Sequence, residues 1–213
     1  MSKLILFFII CLASLQAYCQ QNWTKATEKD GIKVYLKNAE NTDLKMLKVT
    51  CELPASQDAV LALLLDIPAS EKWIPQTKSW HYVQRLPPTD FYYYTELRMP
   101  WPVSNRDYVV HMRTSQHPTS KVVTLDANVV PGRVPEKEGV VRINMSTVKW
   151  VLTPLPGGTT QLVYELFTNP GGSIPVWVVN YFAKEAAIDI IKKMRELVQQ
   201  PPYKNANLPF IAK

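Results

Sequence analysis

The 213-residue chain has only three cysteines, three histidines and seven glycines, and each shortage excludes a class of function. Cys11 and Cys19 fall in an N-terminal stretch that reads as a removable leader. Cys51 then stands alone, so no internal disulfide is expected and stability must come from packing. Cys51 also lies in an apolar strand without a histidine close in sequence, which reads as a quiet core thiol rather than a nucleophile. His81, His111 and His117 are scattered, with no second ligand at metal-binding spacing. The glycines build neither a phosphate-cradling loop nor a serine elbow. Charge is modest: 24 Lys+Arg against 18 Asp+Glu give +6, without the dense basic stripe that nucleic acid requires. No catalytic residue, metal or cofactor is assigned, and no nucleic-acid partner is expected.

The leader itself is short. Met1-Ser2-Lys3 precedes the apolar run Leu4–Ala13, with Ala17 and Cys19 as the small residues before a cut, so residues 1–19 read as a secretory signal. The bulky Tyr18 before Cys19 argues against lipidation there. The remainder, 20–213, has the size of one domain, and a periplasmic or secreted bacterial location is expected. Loss of Lys3 lowers the net charge from +6 to +5, a mild excess compatible with transient contact with a membrane surface.

Period-two patterning dominates the middle of the chain. Strands are expected at Ile32–Leu36 after an Asp30-Gly31 turn and at Leu44–Leu53, with Asn22 onward as a polar lead-in. Ser56 caps a short buried helix over the Asp58–Leu65 run, and Pro68–Pro75 has room for one more turn. Strands return at Trp80–Leu86, Phe91–Leu97, Arg106–Arg113, Lys121–Val130, Gly139–Trp150 and Thr160–Thr168, with Arg98–Asn105 too proline-rich for regular structure. A long amphipathic helix follows, capped by Ser173 with Pro175 in its first turn and running to Val198. Its apolar stripe comprises Ile174, Trp177, Val178, Tyr181, Phe182, Ile188, Ile191, Met194 and Val198. The class is α+β, an antiparallel sheet curling around the last helix. Alternation places Leu162, Tyr164 and Leu166 on one inner face, with Val141, Ile143 and Met145, with Tyr108, Val110 and Met112, and with Tyr92, Tyr94 and Glu96.

Three ordered motifs carry a resemblance. Glu96-Leu-Arg-Met-Pro-Trp-Pro-Val-Ser-Asn-Arg-Asp-Tyr-Val109, Gly139-Val-Val-Arg-Ile143 and Asn169-Pro-Gly-Gly-Ser-Ile-Pro-Val-Trp-Val-Val-Asn180 resemble the START lipid-transfer domains, in particular the phosphatidylcholine-transfer-like branch. The resemblance spans nearly all of 20–213 and implies a helix-grip fold: a curved antiparallel sheet around a long C-terminal helix, enclosing a tunnel for one hydrophobic ligand. It implies a lid at the helix start, hinged at Gly171-Gly172, an acidic cavity residue at Glu96, and a brace for the Trp101-Pro102 loop from Arg106 and Asp107. An arginine that many relatives place six residues beyond the motif arginine is Met112 here, which implies a drier tunnel.

The expected ligand contacts are Tyr94, Glu96, Val110, Met112, Ile143, Met145, Tyr164, Leu166, Trp177, Tyr181 and Ile188. The expected partner is a phospholipid, a sterol-like molecule or a fatty acyl chain, bound by a monomer that acts as a lipid carrier or sensor. Read from the residues alone, Glu96 is favoured as a structural ion-pair partner of Arg98 or Arg106, a polar anchor for a ligand hydroxyl being the alternative. Trp101 reads as packed on the sheet, an exposed membrane wedge being the alternative. The rival function is a cyclase- or hydrolase-like enzyme, which would gather Glu96, Tyr94 and His111 in the tunnel.

Overall fold

The computed structural model describes residues 23–212, and the expected leader lies outside them. Strands β1 (Thr24–Lys29), β2 (Ile32–Asn38) and β3 (Lys45–Leu53) form an antiparallel meander. The expected polar lead-in is therefore a strand. β1 lies at the sheet edge with most of its side chains in water, so its polar sequence gives no alternating signal. Helix α1 (Gln57–Leu65) begins where expected, the Ser56 hydroxyl accepting the Ala59 N–H at 3.2 Å. A 3-10 turn (Ile67–Ala69) and the one-turn α2 (Ser70–Trp73) lead into β4 (Thr77–Arg85), β5 (Asp90–Leu97), β6 (Asn105–Gln116) and β7 (Val123–Val129).

The segment expected as one strand from Gly139 to Trp150 is two: β8 (Val140–Arg142) and β9 (Met145–Leu155). β8 runs parallel to β6, with Asp107 beside Arg142, and the Ile143 N–H donates to the Asp107 carbonyl at 2.9 Å. The chain then breaks step at Asn144 and enters β9, which pairs with β7 and with β10 (Thr159–Asn169). The sheet order is β1-β2-β3-β10-β9-β7-β6-β5-β4, with β8 against β6. This curved sheet and the long α3 (Val176–Leu197) make the α+β helix-grip architecture.

Helix α3 starts later than expected. Ile174 precedes a proline and is biased away from helical backbone, and Pro175 itself is extended at ψ 135°, so Pro175 rather than Ser173 is the N-cap. The expected stripe also divides along the helix. Ala187, Ile188, Ile191, Met194 and Val198 are buried in the core with Leu47, Val49, Leu61 and Leu162. In the first half Trp177, Tyr181 and Phe182 point to solvent, Trp177 being 73% exposed. Small residues, Ala183 and Ala186, occupy the more covered positions there, so the bulky side chains that form the stripe in sequence are on the wrong side of it.

Register also reverses the expected facing of β5. Tyr93 lies opposite Val110 and Thr95 opposite Tyr108, while Glu96 lies opposite Asp107. Residues directly across a ladder share a face, so Tyr94 and Glu96 belong to the outer side. Two facing carboxylates would repel, and cations surround them. Glu96 accepts from Lys78 at 2.7 Å, Asn105 at 3.1 Å and Lys137 at 3.2 Å. Asp107 is held by a two-pronged contact from Arg142, at 2.7 and 3.0 Å, and by the Tyr94 hydroxyl at 3.0 Å. His111 stacks on Tyr92 and His81 on Tyr94 on this same outer side. Glu96 thus pairs with two lysines and not with Arg98 or Arg106.

The bond from Lys78, with those from Lys137 and Asn105, outweighs the cost of burial and lowers the Glu96 pKa from 4.5 to about 2. Its contribution is complete above about pH 4.5 and disappears as pH falls through 2. Glu96→Gln should cost on the order of 1–3 kcal/mol at pH 7 in urea unfolding. The variant should also lose the part of the acid destabilisation that the native chain shows between pH 4.5 and 2.

Candidate functional site

A cavity of about 250 Å³ lies between the inner face of the sheet and α3. Its wall follows from the ladder. Tyr93, Thr95 and Leu97 of β5 lie beside Tyr108, Val110 and Met112 of β6, and Ser146, Val148 and Trp150 of β9 beside Tyr164, Leu166 and Thr168 of β10. Leu64, Ile67 and Trp73 close one side, Ile143 another, and Ala186 and Ile190 of α3 form the roof.

Of the expected contacts, Val110, Met112, Ile143, Tyr164 and Leu166 meet in this wall. The other six do not. Tyr94 and Glu96 lie on the outer face. Met145 is exposed, because the break between β8 and β9 shifts the alternation and turns Ser146, Val148 and Trp150 inward. Trp177 and Tyr181 are exposed, and Ile188 is packed in the core without reaching the cavity. Sequence reasoning missed Tyr93, Thr95 and Leu97. Phe91 to Tyr94 is aromatic on both parities and gives no alternation, so the inward residues of β6 together with the β5–β6 register would have been the better guide.

The cavity is aromatic and almost free of charge. Trp150 stacks on Tyr164 with centroids 4.0 Å apart, and Trp73 meets Trp150 edge-on at 6.3 Å. Burial pushes the Tyr108 phenol up to about 12 and those of Tyr93 and Tyr164 higher, so all three remain neutral near pH 7. Ser146 and Thr168 share a hydroxyl–hydroxyl bond of 2.6 Å. Asp66, on the wall, accepts from the Tyr203 hydroxyl at 2.7 Å and the Ala69 N–H at 3.2 Å.

Two residues hold the approach and the first half of α3 in place. Arg106, buried, donates to the carbonyls of Ser104, Pro170 at 3.4 Å and Gly171 at 3.2 Å. It therefore ties the Trp101-Pro102 loop to the approach of α3. A Cβ on Gly172, whose φ is +66°, would come within 3.0 Å of this guanidinium. Farther along, the Asn180 side chain accepts the Lys45 N–H at 3.0 Å and donates to the Asp43 carbonyl at 3.3 Å, pinning the exposed half of α3 to the β2–β3 turn.

The sequence model of the START domain matches residues 12–204. An uncharacterised Pseudomonas aeruginosa protein is 31% identical over 181 residues, 84% of this chain and 88% of that one. The phosphatidylcholine transfer protein of Rattus norvegicus is 29% identical over 186 residues, 84% of each. In structure, a STAR-related lipid transfer protein fragment from Xanthomonas axonopodis is similar, with a TM-score of 0.77 and 31% identity over 84% of this chain and 99% of that one. With its cavity wall, grip helix and three motifs in order, the chain belongs to the START domain family.

Proposed function

We propose that the protein is a lipid carrier, enclosing one hydrophobic molecule in the cavity beneath α3. The observation that carries this reading is the apolar cavity roofed by a helix whose second half is core and whose first half is not. At 250 Å³ the cavity is smaller than the roughly 300–1,000 Å³ of ordinary small-molecule sites, so loading a lipid would move the first half of α3 outward. Gly171 and Gly172 give that half a hinge, and Asn180 is the catch. The name of the rat relative supports a lipid as cargo. The enzyme reading draws no support from Glu96, Tyr94 and His111, which share the outer face instead of the cavity.

The carrier works at a membrane surface, as a monomer in the periplasm or outside the cell. Trp101 is 94% exposed, contrary to the expected packing, because both flanking prolines belong to a loop that projects beyond the sheet. Arg106 ties the end of this loop to the approach of α3, whose first half carries the exposed Trp177, Tyr181 and Phe182, and the proposal puts these four aromatics at one membrane-facing end of the molecule. Aromatic side chains at such an end suit the headgroup layer of a bilayer.

Native mass spectrometry after incubation with mixed-lipid vesicles should show a single bound lipid, and labelled lipid should pass between vesicle populations. A protein that stays empty and moves no lipid would refute the carrier. Trp101→Ala and Trp177→Ala should each weaken vesicle co-sedimentation by about three- to tenfold, since each removes apolar area that leaves water on docking. Asn180→Ala should speed lipid exchange while lowering stability by about 1 kcal/mol, measured by stopped-flow transfer and thermal unfolding.

A further inference from the structure

Among the described residues, the cavity wall contains no lysine, arginine or histidine. Its one carboxylate, Asp66, is already engaged by Tyr203 and Ala69. Arg106, close in sequence to the wall residue Tyr108, spends its donors on the carbonyls of Ser104, Pro170 and Gly171 and is not part of the wall. A phosphate or carboxylate taken inside would be desolvated with no counter-charge, which is prohibitive in an apolar site.

Neutral hydrogen-bonding capacity, in contrast, is unspent. The hydroxyls of Tyr93, Tyr108 and Tyr164 have no partner among the described residues, although all three side chains line the cavity. The indole N–H of Trp73, itself on the wall, is buried without a partner. The phenols are near enough that Tyr108 and Tyr164 each raise the pKa of Tyr93, and Tyr108 that of Tyr164. The three hydroxyls line the cavity and are not enclosed polar atoms, so a ligand that enters can accept from them directly, whereas the Trp73 N–H is a buried donor of the rare and costly kind that a nearby acceptor would satisfy.

Resting on the carrier reading, we propose that the cargo is an uncharged lipid whose carbonyl or hydroxyl oxygens are received by Tyr93, Tyr108, Tyr164 and the Trp73 N–H. The same chemistry occurs in a glyceride ester and in a sterol alcohol. Phosphoryl headgroups are excluded from the cavity and serve only as the surface on which the protein docks.

Native mass spectrometry tests this with two vesicle sets of phosphatidylcholine and phosphatidylglycerol, one doped with dioleoylglycerol and the other with cholesterol. The expected result is a bound neutral lipid from at least one set and little of either phospholipid, although both are in large excess. Tyr93→Phe, Tyr108→Phe and Tyr164→Phe, checked for folding by circular dichroism, should each lower neutral-lipid occupancy about three- to tenfold, as loss of one buried hydrogen bond predicts. Phospholipid bound in proportion to its abundance would overturn the proposal while leaving the carrier reading intact. So would unchanged occupancy in all of the phenylalanine variants that fold. No bound lipid of any class would overturn both.

Discussion

Asp107 and its neighbour Arg106 point to opposite faces of β6, and the rest of the molecule is arranged around that division. On the outer side, Asp107 is gripped through two contacts by Arg142, which fixes the short parallel strand β8 and the point at which the chain breaks step into β9. On the inner side, Arg106 gathers the Trp101 loop and the approach to α3 through three main-chain carbonyls. Because side chains alternate along a strand, these two neighbours cannot exchange roles. A buried guanidinium bonded to carbonyls and another bonded to a carboxylate are different devices: the first positions backbone, the second neutralises charge.

The outer cluster and the cavity divide the polar chemistry of this domain between them. Charge is concentrated outside, where Glu96 and Asp107 lie side by side among Lys78, Lys137 and Arg142. Neutral donors are concentrated inside. That separation lets the sheet be rigid on one face and apolar on the other, and it removes from the cavity the acidic group that the family resemblance placed there.

Much of this architecture is legible in the sequence, since strong alternation, the Ser56 cap and the proline breaks each act locally. Sequence reading fails where two signals cancel or where tertiary contact decides. β1 is polar because it is an edge, and so it hides. The aromatic run Phe91–Tyr94 fills both faces, so only pairing with β6 tells that Tyr93 is inside and Tyr94 outside. Met145 is turned outward by a break imposed by Asp107, far away in the chain. Trp177 and Tyr181 sit on a helical half that overhangs the core, and helical periodicity cannot say which half of a stripe has a partner. The wall residues Val110, Met112 and Tyr164 lie on strands whose alternation is unambiguous, and those are readable.

The sheet order has one further effect. β3 and β10 are adjacent, pairing Leu53 with Thr160 and Leu47 with Leu166, so the first three strands reach the rest of the sheet only through a strand more than a hundred residues later. Local pairing alone cannot complete this fold, and loop closure over that separation must precede its reward. The cavity wall, in contrast, draws on β5, β6, β7, β9, β10 and the helices and on none of the first three strands, so the long-range closure that completes the sheet adds to the core beside the cavity and not to the wall itself.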